Sequence, residues 1–212
     1  MREVYWTGER VAGALLASSF LLMLTALLIM LMSGAITGFG PMISGDIGRA
    51  ATYTNTFQWL ILLFIFAWVL QSVGLGLFAH LMARAGESEI AIATFIIVLI
   101  ATITAVINFG FRMTIELWAA GELAVGRALP PLYQPLRTWT SDLFHLGYVM
   151  HPVAMVGMGW GILRSGILER WVGWAAIGWS GLTLLGALAG AGAPAVPLLM
   201  PAAIGVVLLW AG

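Results

Sequence analysis

The sequence predicts an all-α fold, a polytopic integral membrane helical bundle of about six transmembrane helices, and three observations carry that prediction. Of 212 residues, 61% are hydrophobic and 8% charged, with a mean hydropathy of +1.02, against roughly 25% charged in an ordinary soluble domain. A soluble fold could not clothe its surface from this composition, and lipid is the solvent that tolerates it. The apolar residues also fall in runs too long for barrel strands, and a backbone in lipid must satisfy its own hydrogen bonds, which leaves helices. Between the runs, glycine, proline and charged residues cluster as turn signals. One domain, residues 1–212, is expected.

Helix 1 is expected at about 11–34, behind an N-terminus that mixes Arg2 and Arg10 with Glu3 and Glu9. An apolar core of about 7–15 residues marks a cleavable signal, so this longer run is read as a retained helix. Residues 35–53, with Gly38, Gly40, Pro41, Gly45 and Gly48, read as the first loop. Helices 2 and 3 are expected at 57–82 and 90–118, joined by a tight polar turn at 84–89. Residues 119–140, with Gly121, Gly126, Pro130, Pro131 and Pro135, read as the longest loop, lying on the membrane surface. Helix 4 is expected at 142–168 with a kink at Pro152, helix 5 at 171–189, and helix 6 at 198–210 after a hairpin at 190–197. Helix 6 falls short of the roughly 20 residues needed to span, and is read as shallow or truncated.

Six crossings put both termini on one side. That side holds Arg2, Arg10, Arg84, Arg164 and Arg170, and the other holds Arg49, Arg127 and Arg137, so the positive-inside rule places both termini in the cytoplasm and the chain in the inner (plasma) membrane. Trp59, Trp118 and Trp139 would mark the outer interface, and Trp6, Trp171 and Trp174 the inner one. Gly157 with Gly161, and Gly186 with Gly190, have the small-xxx-small spacing of close helix packing, expected here within the chain.

Composition also excludes functions. Net charge is zero and the basic residues are spread thinly, so nucleic acid is not expected as a partner. All nine basic residues are arginine. Without lysine there is no Schiff base, which excludes retinal. Without cysteine there is no disulfide, thiolate nucleophile or iron–sulfur cluster. The partners left are membrane lipid, other membrane subunits and a lipophilic small molecule.

Ionisable groups at membrane depth are costly, and so form the functional hypothesis. Helix 3 carries Asn108, Arg112 and Glu116 at i, i+4 and i+8, and helix 4 carries Asp142, His145, Tyr148 and His151 at three-residue spacing. If the two helices are neighbours, these groups meet in the outer half of the bundle. Two readings stay open. The cluster is a structural ion-pair network, with Arg112 paired to Glu116 or Asp142 and Asp142 bonded to His145; or it is a pocket for a small molecule, a quinone-like group or a lipid head. No HExxH or repeated ExxH motif is present, so no metal site is expected. Bis-histidine haem is not expected either, because His80 differs in depth from His145 and His151, and those two lie about 240° apart around one helix.

The stretch Arg164-Ser165-Gly166-Ile167-Leu168-Glu169-Arg170-Trp171-Val172-Gly173-Trp174, with Arg10-Val11-Ala12-Gly13 opening helix 1, resembles the bacterial six-helix membrane proteins of the domain of unknown function 4386 type. About twenty residues carry the pattern, and Glu169 stands where that family is expected to have proline. The resemblance implies the six-helix fold and no particular chemistry.

The leading expectation is a non-enzymatic membrane subunit or binder of a small lipophilic ligand. The alternative is a membrane enzyme doing acid–base chemistry on a lipid or isoprenoid substrate, with Glu116 or Asp142 as acid and His145 as base. A transporter is a third reading, with Pro152 as the one candidate midplane break.

Overall fold

A computed structural model describes residues 7–32, 54–189 and 199–211. The loop expected at 35–53 and the hairpin at 190–197 lie outside the described residues. Among the described residues there are six helical runs: α1 (Gly8–Met32), α2 (Thr54–Arg84), α3 (Ser88–Ala124), α4 (Tyr133–Ser165), α5 (Arg170–Leu188) and α6 (Leu199–Ala211). Five of them, α1 to α5, are long and apolar enough to cross a membrane, and α6 is a shorter apolar helix. The architecture is a multi-pass membrane bundle, with no strand among the described residues.

The turns have local causes. Glu9 in the first turn of α1 and Arg84 in the last turn of α2 each complement the helix dipole. The chain leaves α4 through Gly166 at φ +64°, the left-handed region that glycine enters without steric cost.

The expected 119–140 loop is corrected. Helix α3 continues through Gly121 and Glu122 to Ala124, and α4 already begins at Tyr133, so the connection is only 125–132. Pro135 is the third residue of α4, where the missing N–H would have had no intrahelical acceptor. Leu117, Ala119 and Ala120 are buried, which holds the extension of α3 in place. Asp142 is therefore a mid-helix residue. Pro152 sits inside α4 without ending it, buried in the bundle, where neighbouring helices make proline tolerable.

The helices form a curved row in the order α6, α1, α2, α3, α4, α5, each packed along the next. Close backbone approaches set two of these contacts. A Cβ on Gly159 of α4 would lie 2.8 Å from the Gly173 carbonyl oxygen, and one on Gly13 of α1 would lie 2.7 Å from that of Gly205 on α6. Only glycine lets these backbones meet. Gly157 and Gly161 also face neighbours within the chain, Thr94 and Met82, while Gly190 lies outside the described residues. The largest core joins Leu16, Leu75, Phe78, Val98, Met155, Met158, Val172 and Ile204, side chains from all six helices. By contrast α5 and α6, adjacent in sequence, touch only sparsely.

Candidate functional site

Helices α3 and α4 are longer than a bilayer requires. Their 37 and 33 residues span about 55 and 50 Å at 1.5 Å per residue, against a hydrocarbon core of about 30 Å. Counted from the short α2–α3 and α4–α5 turns, about 20 residues bring α3 to Asn108 and α4 to His145. Past that count the two helices continue to Ala124 and back to Tyr133, and the exposed Trp59, Trp118 and Trp139 lie toward this end, a residue type enriched at membrane interfaces.

The projecting pair carries a buried polar cluster. Asn108 is the hinge: its side-chain N–H donates to the Thr140 carbonyl across the helix gap at 3.0 Å, and its Oδ1 accepts from Arg112 Nε at 3.0 Å. Arg112 then pairs with Glu116, Nη1 to Oε2 at 3.5 Å. All three are buried. Residues Arg112–Glu116 form a π-helical turn within α3, a local widening that recurs at functional sites. Tyr133 is 1% exposed, stacks on Phe111 at 6.2 Å between ring centroids, and with Arg137 stands within electrostatic reach of the ion pair.

Two atoms of this cluster have unused hydrogen-bonding capacity. Glu116 Oε2 lies in an ion pair too long for a good hydrogen bond, and neither it nor the Tyr133 hydroxyl has a hydrogen-bond partner among the described residues. Buried polar atoms are rarely left so.

The other expected members divide. Asp142 and His145 are exposed, and His145 bonds the Ser141 carbonyl on its own helix at 2.8 Å. Neither joins Arg112 and Glu116, and Tyr148 is half-buried farther along α4. Three-residue spacing is the cause: each step falls about 60° short of a full turn, so His151 lies about 180° around the helix from Asp142. His151 accordingly points inward, 1% exposed. It forms a second centre, with its Nε2 3.0 Å from Gln71 Nε2 and its ring edge-on to Trp68 at 5.5 Å. The Gln71 amide N–H donates to this nitrogen, which leaves the proton on Nδ1, and Nδ1 is buried with no partner among the described residues. Ser72, next to Gln71 on α2, bonds Thr102 of α3.

Tyr133, Arg137 and Thr140 lie in the segment expected as a loop, and Gln71 is not among the expected cluster residues. The signal for the first three was Pro135, whose placement two residues after Tyr133 suits a helix start. No group of three or more histidine, aspartate or glutamate side chains that could hold a metal occurs among the described residues.

What this arrangement can do is hold a group that both donates and accepts hydrogen bonds, beside a buried cation. No family model, curated protein or solved structure matches the chain, so the reading of the site rests on this geometry.

Proposed function

We propose that this protein is a non-enzymatic membrane protein that binds a small amphiphile, whose polar head enters the Asn108–Arg112–Glu116–Tyr133 cluster while its apolar part stays in the bilayer. The observation that carries the reading is the pair of buried atoms without hydrogen bonds, Glu116 Oε2 and the Tyr133 hydroxyl, beside the Arg112 guanidinium. A hydroxyl-bearing head supplies a donor for the carboxylate and can exchange a hydrogen bond with the phenol. A headgroup depth is supported by residue count, since about 20 residues from the α2–α3 turn span the hydrocarbon core and bring α3 to Asn108.

The enzymatic alternative loses support because its groups are divided: Glu116 is buried on α3, whereas Asp142 and His145 are both exposed on α4 and His145 is bonded to its own helix. The excess of arginine on the side of the 84–89 and 164–170 turns supports cytoplasmic termini in an inner membrane. The likeness to the domain of unknown function 4386 proteins adds a shared six-helix plan to this proposal and no chemistry.

The test is purification in mild detergent, followed by mass spectrometry and absorption spectroscopy of what co-purifies. We expect an amphiphile retained by the parent and lost from the double variant Glu116→Gln, Tyr133→Phe, which keeps the shape and removes the charge and the hydroxyl. Identical extracts from both proteins would overturn the proposal.

A further inference from the structure

The second feature that calls for a ligand lies at the opposite end of the bundle. Because α5 is held by α4 and α6 by α1, the seam between α5 and α6 is left open. A groove of about 680 Å³ runs there, within the roughly 300–1,000 Å³ of small-molecule sites. Its walls are apolar: Leu168, Val206 and Val207, with Trp171 and Trp210 flanking it. Trp210 is 88% exposed and Trp171 58%, side chains suited to the membrane interface.

The rim is polar and dipolar. Glu169 lines the groove and accepts from Trp171 Nε1 through Oε2 at 2.6 Å. Its other carboxylate oxygen has no hydrogen bond among the described residues. Arg170, exposed between two lining residues, has no ion-pair partner among the described residues, whereas Arg164 on the same turn is engaged by Glu87 at 3.1 Å. A carboxylate thus stands at the mouth of an apolar slot, with Arg170 the next residue in the chain and outside the groove's lining.

We propose that this groove holds one acyl chain of a zwitterionic phospholipid with a primary ammonium, of the phosphatidylethanolamine type. The ammonium donates to the free carboxylate oxygen of Glu169, while the chain fills the space that α5 and α6 leave between them. A quaternary ammonium has no N–H to donate to the carboxylate, and a glycerol headgroup brings no positive charge to it. The site is therefore selective for the primary amine.

Native mass spectrometry of the full chain in mild detergent tests this, with equal amounts of phosphatidylethanolamine, phosphatidylcholine and phosphatidylglycerol of identical acyl chains. The parent is expected to retain one phosphatidylethanolamine with a preference of about five-fold, the scale of one charged contact near the surface. Glu169→Gln should bring phosphatidylethanolamine and phosphatidylcholine to equal retention. Val206→Trp, at an exposed wall position, should reduce retention of all three lipids. Equal retention of the three lipids by the parent, a preference that survives Glu169→Gln, or undiminished binding to Val206→Trp would each overturn the proposal. None of these readouts involves Glu116 or Tyr133, so failure here is separate from failure of the proposed function.

Discussion

Arg112 and Glu116 bracket a single π-helical turn of α3 and pair across it at 3.5 Å, both inside the protein. A guanidinium cannot shed its proton to escape burial, so the pair, with Asn108 as a second support, is what makes Arg112 tolerable there. The same contact leaves the carboxylate with room for another donor.

Breaking that pair on one side should be costly. Arg112→Ala leaves a buried carboxylate without its cation, and a loss of about 3–5 kcal/mol is expected. Removing Arg112 and Glu116 together should recover much of it. Thermal unfolding in detergent of the two single variants and the double variant measures the coupling, and an Arg112→Ala protein as stable as the parent would show that the cluster is not a unit.

The interior centre should behave in the same way on a smaller scale. Gln71→Leu strands both nitrogens of His151 and should cost about 1–3 kcal/mol, whereas changing Gln71 and His151 together to leucine should cost less than the single change. If the single variant melts with the parent, the 3.0 Å contact between Gln71 and His151 contributes nothing.

Two glycines of α5 should respond oppositely to alanine. At Gly173 a Cβ would meet the Gly159 carbonyl oxygen at 2.9 Å, so Gly173→Ala should destabilise by about 1–3 kcal/mol through overpacking. At Gly178 nothing lies within 4 Å, and Gly178→Ala should be neutral or stabilising by up to about 1 kcal/mol from helix propensity. Melting curves of the two variants in one detergent decide it.

Topology can be read on a clean background because the chain has no native cysteine. A cysteine at Ala128, in the α3–α4 connection, should be labelled in intact cells by an impermeant maleimide, and one at Ala85 only after permeabilisation. The reverse pattern would invert the proposed orientation.

No Soret band is expected from the purified protein. His80 and His145 are exposed on different helices, and His151 is enclosed between Gln71 and Trp68, so no two of these imidazoles address one site. A Soret band lost on replacing His80 and one of the α4 histidines would contradict this.

The all-helical membrane bundle and its six helical runs were legible in the sequence alone, because hydropathy and run length are properties of contiguous residues. The pairing of Arg112 with Glu116 was one of two that the sequence left open, since four residues along one helix are neighbours whatever surrounds them, and Asp142 was the other. What only the tertiary structure decided is which residues of α4 meet that pair. Starting α4 at Tyr133 brought Tyr133 and Thr140 to α3, and the about 100° that each residue turns around the axis carried Asp142 and His145 to the outside and His151 to the inside. The open seam between α5 and α6 was likewise invisible in the sequence, because it results from Gly159 with Gly173 and Gly13 with Gly205 drawing the two helices to opposite ends of the row. Segment identity follows from local composition, whereas a site depends on rotation and partner choice, which are settled only when helices distant in sequence pack together.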